Sequence, residues 1–228
     1  ILNSCVGKSL PLNCELKPTI ILPLKRMVDK INLDSLQKLD SEEHYFQSKC
    51  VNSSNEKESL KPISKSQMKK EFDYLESNTT ANKLLVLKKK AQVMCIANLN
   101  QHDDKDIICN GSQGIVVDFQ AHTGFPIVKF KNGTQKVMSP HSWESDQYPT
   151  LSLQQIPLIL SWAITIHKAQ GASIDLAEID VGNNIFAAGQ TYVALSRVVS
   201  LEGLYLRNFD YKKIKVNKKV KMFYEQLK

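Results

Sequence analysis

The sequence predicts an α/β fold in which a parallel sheet with helical crossovers is interrupted by a small β-barrel. Three observations carry this. Residues 156–207 alternate apolar strand-like runs with polar, helix-compatible segments, which argues for parallel strands joined by right-handed crossovers. Residues 17–39 give one further strand followed by a helix. Between them, residues 85–143 carry four or five short strands and turns in roughly 60 residues, the texture of a small barrel.

Lys17–Pro23 (KPTIILP) is β-branched and bounded by prolines, a strand signal. Lys25–Leu39 follows with Val28, Ile31 and Leu39 on a helical repeat. Ser41–Ala81 is polar and rich in Ser, Asn, Lys and Glu, and SSNEKES within it reads as a loop or disordered tip. Met68, Phe72 and Leu75 are helix-spaced, so Ser66–Glu76 is expected as a short helix on the core. Ala91–Ala97, Gly114–Phe119, Pro126–Lys131 and Thr134–Met138 are strand candidates, and Asn132-Gly133 signals a hairpin between the last two. Pro157–Trp162 reads as a buried strand and Thr165–Gln170 as a short helix or turn. Ala177–Val181 is a second strand, broken by Gly182-Asn183-Asn184. Gly189–Val199 reads as a helix, Gly203–Arg207 leads a third strand, and Asn217 caps a last helix to Lys228.

The 228 residues suffice for one large or two small domains with a real core. No apolar run approaches the roughly 20 residues of a membrane span. The start has neither a basic leader nor an initiator Met, so a piece of a longer protein is expected. A net charge of +7 permits a polyanionic partner without demanding one. The five cysteines form no CxxC pair and the five histidines no HxxxH pair, which argues against zinc; no metal ligands are assigned. An odd cysteine count fits reduced thiols inside a cell, with nucleus, mitochondrion and viral or host cytoplasm left open. Gly7-Lys8-Ser9 is no phosphate loop, because the earlier glycine that the motif needs is Leu2 and no apolar strand precedes it.

ITIHKAQGASID and GQTYVALSR, at 164–175 and 189–197, resemble motifs V and VI of superfamily 1 helicases, in the form of the Pif family of 5'-to-3' DNA helicases, relatives of RecD. PLKRMVDKIN resembles motif IV, and KKAQVMCIANL and NGSQGIVVDF resemble the opening of an SH3-like barrel inserted into the second motor domain. Here Lys90 stands where the family usually has a glycine, and Ser173 where it more often has threonine. The resemblance implies a second RecA-like motor domain at 1–84 and 151–228, of the P-loop NTPase fold, with the barrel at 85–150. It implies the C-terminal half of an ATP-dependent helicase, with ATP and Mg2+ held mainly by an N-terminal RecA-like domain of the same full-length protein. Single-stranded DNA and single–double-strand junctions are the implied partners, and no membrane is. The expected alternative is a non-enzymatic nucleic-acid-binding module; a place in a RecD-like nuclease complex is a third reading.

Arg197 is the sharpest candidate, since a guanidinium stays charged and presents a planar fork matched to phosphate oxygens. The resemblance makes it the arginine finger; otherwise it is a surface arginine at a helix C-terminus. The nucleotide side is expected to include Arg26, Gln170, Gly171 and Gln190, the last either on the nucleotide edge or on its own helix end. Thr165, His167 and Lys168 are candidates for single-strand phosphates, against a reading of His167 as a core histidine. Lys129 and Lys131 fall on one strand face and Phe130 on the other, which fits a weak phosphate-tracking face.

Overall fold

The computed structural model describes residues 2–9, 15–53, 63–99, 107–181, 185 and 187–227. In chain order, the first elements are β1 (Thr19–Leu22), α1 (Lys25–Gln37), β2 (His44–Gln47), β3 (Lys49–Asn52), α2 (Lys65–Asn78) and β4 (Leu84–Leu87). The middle is all strands: β5 (Gln92–Cys95), β6 (Gln113–Phe119), β7 (Pro126–Phe130), β8 (Gln135–Val137), β9 (His141–Glu144) and β10 (Leu151–Gln155). The last part holds β11 (Leu158–Leu160), β12 (Ala163–Thr165), β13 (Ala177–Val181), α3 (Gln190–Leu195), β14 (Leu204–Phe209) and α4 (Lys218–Gln226).

Four of these make a parallel sheet in the order β12-β1-β13-β14. Ile21, Leu22, Ile164, Ile179 and Leu206 are nearly or fully buried there, as β-branched and leucine side chains on a sheet covered from both faces must be. β12 is an edge, and α1 closes it. The Asn32 amide donates to the Ala163 carbonyl (2.8 Å) and accepts from the Ala163 N–H (2.9 Å), so a side chain replaces a neighbouring strand. The arrangement fits a RecA-like lobe.

A five-stranded antiparallel sheet, β11-β5-β6-β7-β8, packs beside it. Val93, Cys95, Val116, Val128, Phe130 and Leu158 build its core, joined by Leu36 of α1. Met94 and Ile159 turn the other way, into the core of the parallel sheet. The expected hairpin is present: Gly133 takes φ +91°, and the Thr134 N–H donates to the Asn132 side chain. Smaller pairings join β3-β10-β9 and β2-β4.

Several sequence expectations need correction. Pro157–Trp162 is not one strand. Leu158–Leu160 pairs antiparallel with β5, and the parallel sheet receives Ala163–Thr165 instead. The apolar run is continuous because both sheets bury it, so hydrophobicity could not mark where it changes partner. The helix read as Gly189–Val199 ends at Leu195, and Val198 forms an isolated parallel bridge to Ile174. Two β-branched valines favour that extended path over another helical turn. β2 and β3 lie in the segment read only as polar, hidden because each has four residues and none of them is fully buried, so no apolar alternation marks them. Most of SSNEKES and all of Gly182-Asn183-Asn184 lie outside the described residues. α2 runs slightly beyond its expected bounds and starts on a Ser64/Gln67 capping box.

Lys90 is the one non-glycine with positive φ (+69°) among the described residues. It sits in the turn from β4 to β5, where its N–H donates to the Val116 carbonyl (2.7 Å). A side chain in the left-handed region costs about 1 kcal/mol, part of which glycine returns through its freer unfolded chain. Lys90→Gly is therefore expected to stabilise the chain by about 0.5 kcal/mol, raising the melting temperature by about 1–2 °C in a thermal scan.

Candidate nucleotide and nucleic-acid interface

The expected site residues do not gather in one site: some lie at each end of the parallel strands and the rest between them. At the carboxyl ends, β1 runs into α1 and β12 into the turn 166–171. Together with β4 and residues 159–160 these enclose a cleft of about 510 Å³. Leu33, Leu36, Leu85 and Ile159 line its walls, and Lys25, Asp29, Asn82, Thr165, His167 and Lys168 supply its polar groups.

Thr165 is only 8% exposed, and its hydroxyl accepts from the Lys168 N–H (3.1 Å), so it shapes the turn. His167 is exposed, which rules out the core-histidine reading. The Lys168 ammonium donates to the Thr80 carbonyl (3.1 Å) and the Asn82 side chain (3.0 Å). Burial first, and Lys25 second, push its pKa below the ordinary lysine value, against the opposing pull of Asp29. Arg26 is exposed on the first turn of α1, beside the cleft but not in its lining.

Arg197 lies at the other end. Its carbonyl accepts from the Ile174 N–H (2.9 Å), and the Ile174 carbonyl accepts from the Val199 N–H (3.1 Å). Ile174 precedes β13, so this pairing sits below the amino end of the sheet, whereas ligands of open α/β sheets commonly bind outside the carboxyl ends. The guanidinium is half-buried. Nη2 donates to the Ser196 hydroxyl (3.0 Å), while the buried Nε has no hydrogen-bond partner. Among the described residues no carboxylate forms an ion pair with it. A buried donor left unpaired costs about 1–3 kcal/mol, which an incoming anionic oxygen would offset.

The remaining candidates are scattered between these places. Gly171 takes φ +75° and, with the exposed Gln170, begins the crossing from one end to the other. Gln190 is 8% exposed and its Oε1 accepts from the Ala187 N–H (3.1 Å), which favours the helix-end alternative. Lys129 and Lys131 share the exposed face of β7 and its turn, with Phe130 buried opposite, as the alternation required. Each faces a carboxylate at 3.7 Å, Glu15 for Lys129 and Asp175 for Lys131. Such exposed pairs are weak, so they leave the lysines available to a stronger anion. Lys8 of the rejected phosphate-loop match donates to the carbonyls of Leu201 and Glu202 and lies over the Tyr205 ring. Among the described residues no group of three or more His, Cys, Asp or Glu could hold a metal ion, and no helix is long and apolar enough to cross a membrane.

Sequence reasoning passed over Lys25, Asp29 and Asn82. The first two share a face of α1 with Asn32, Leu33 and Leu36, so helical spacing around the motif IV arginine could have found them. Asn82 reaches the cleft only through the tertiary packing.

A family model described as "DNA helicase Pif1, 2B domain" matches residues 72–119, which span the end of α2 through β6. The chain is 42% identical to "ATP-dependent DNA helicase PIF1" of Danio rerio over 68% of its own length and 24% of that protein. It is 32% identical to "ATP-dependent DNA helicase PIF6" of Trypanosoma brucei brucei over 99% of its length and 27% of that protein. The crystal structure of Pif1 helicase from Candida albicans superposes with a TM-score of 0.67 at 30% identity, covering 99% of this chain and 53% of that one. The chain thus spans about a quarter of the curated relatives it matches and about half of the solved one.

Proposed function

The chain belongs to the Pif family of DNA helicases, and from that premise we propose that it is the C-terminal motor half of an ATP-dependent 5'-to-3' DNA helicase. The observation that carries the proposal is Arg197: a half-buried guanidinium with an unpaired Nε, in a motif VI segment, with no carboxylate among the described residues to neutralise it. ATP and Mg2+ are held mainly by an N-terminal RecA-like domain of the full-length protein. When bound, the metal neutralises charge on the phosphates.

Hydrolysis adds water to the γ-phosphorus and breaks its bond to the bridging oxygen of ADP. Charge spreads over the γ-phosphate oxygens as this happens, and the fork of Arg197 meets it across the cleft between two lobes. Arg26, Gln170 and Gly171 complete this chain's nucleotide side, with Gln190 holding the start of α3. The carboxyl-end cleft grips single-stranded DNA through His167 and Lys168, which Thr165 holds in place, and Lys129 and Lys131 extend the track. We divide the chain into a second RecA-like lobe at 1–84 and 151–228 and an inserted SH3-like barrel at 85–150, to which β11 returns one strand.

Two steady-state measurements test this. The 228-residue chain alone should hydrolyse ATP no faster than the buffer background. Joined to its N-terminal lobe it should show ATPase activity that single-stranded DNA stimulates. Robust turnover by the isolated chain would mean that the catalytic half lies within these 228 residues and would overturn this reading.

A further inference from the structure

Between the turn 166–171 and β13, residues 173–176 run as an irregular strip bonded on both sides. On one side Ile174 exchanges its N–H and carbonyl with Arg197 and Val199 (2.9 and 3.1 Å). On the other side the strip is held by the inserted antiparallel sheet. The Ser173 N–H donates to the Asn110 carbonyl (3.2 Å). Gly111 takes φ +103° and comes so close that an added Cβ would overlap the Ser173 backbone. Gln113, on β6 and 1% exposed, closes the clamp. Its Oε1 accepts from the Leu176 N–H (3.0 Å), and its Nε2 donates to the Leu176 carbonyl (2.9 Å) and the Thr19 hydroxyl (2.7 Å).

We propose that Gln113 is a positioning residue for Arg197, acting from the inserted sheet through residues 173–176. The inference rests on Arg197 serving ATP hydrolysis. A side-chain amide that both donates to and accepts from one backbone residue fixes that residue in two directions, as a neighbouring strand would. Leu176 is so fixed, and two residues away Ile174 holds the backbone at the end of α3. With the Asn110 carbonyl and Gly111 holding Ser173, the inserted sheet grips the strip on both sides of Ile174, so a shift of that sheet is passed to the guanidinium. A double-mutant cycle measures this coupling.

The test uses the full-length protein and single-turnover hydrolysis with DNA bound, which stays measurable at very low rates. Gln113→Leu keeps the bulk and removes every hydrogen bond; Gln113→Asn keeps the polar head but shortens its reach. The expected result is a loss of about tenfold in the hydrolysis rate, since small misplacements of a catalytic group are costly, with ATP and single-strand affinity within about twofold of the parent. In an Arg197→Ala background the same change should cost nothing further. A tenfold loss in both backgrounds, or no loss in the parent, overturns the proposal. An Arg197→Ala protein with undiminished hydrolysis overturns the functional reading instead. Should neither Gln113 variant fold, native-state hydrogen exchange in the unaltered protein decides. The Ile174 and Val199 amides should open together with Cys95 and Val116 of the inserted sheet. If they open earlier, with α3, the proposal fails.

Discussion

Arg197→Ala in the full-length protein should lower DNA-stimulated ATP hydrolysis by about a thousandfold or more, the range in which inserted arginines act on phosphoryl transfer. Single-strand affinity should stay within about twofold, because the carboxyl-end cleft with His167 and Lys168 is at the other end of the strands. Three features make the effect large. The guanidinium enters no ion pair among the described residues, so its charge is uncommitted. Its Nε is buried without a partner, so a phosphate oxygen would relieve an existing cost. Its backbone is held by Ile174, so the fork presents a fixed geometry. Arg197→Lys should recover little, since an ammonium offers a point charge without the planar fork. Stability should hardly change, because among the described residues the side chain's hydrogen bond goes only to its neighbour Ser196. An alanine variant that hydrolyses ATP at the parent rate would favour a nucleic-acid-binding module, or a different arginine.

The second large effect is on stability. Gly203→Ala should cost about 3 kcal/mol or more and lower the melting temperature by at least about 6 °C. Gly203 is buried where the chain enters β14, and its carbonyl accepts from the Ala177 N–H (2.9 Å) at the start of β13. A methyl group there would overlap the carbonyl oxygen of Asp175. The obstacle is backbone, not a side chain that can swing aside, so relief requires parting β13 from β14. Those strands share the core of Ile179, Leu204 and Leu206, and packed interiors do not absorb such a shift cheaply. A thermal or denaturant scan of the 228-residue chain checks it. An unchanged midpoint would mean that the approach at Gly203 is looser than the packing shows.

Much was legible before any coordinates. β1, β13, β14 and α1 follow from apolar, strand-like runs and helix-spaced apolar residues, because a side chain's burial is written into local periodicity. The Asn132-Gly133 hairpin is a local signal and formed as one. β2, β3 and β10 were not legible, since each is stabilised by partners far along the chain: β10 pairs with β3 across about a hundred residues, and β9 in turn depends on β10. Of the site, the residue types were visible and their grouping was not. His167 and Lys168 joined Lys25 and Asp29 in one cleft, while Arg197 went to the opposite end of the sheet.

The sequence by itself determined which segments are extended or helical, that residues 164–175 and 189–197 carry helicase-like motifs, and that an arginine ends the second. Those properties depend on neighbours within a few positions. Only the tertiary structure decided that the 157–165 run serves two sheets, that Lys90 bends as a glycine would, and that Gln113 and Leu176 meet. The reason is that backbone polar groups must find partners wherever burial leaves them, and which partner is nearest is settled by packing across the whole chain.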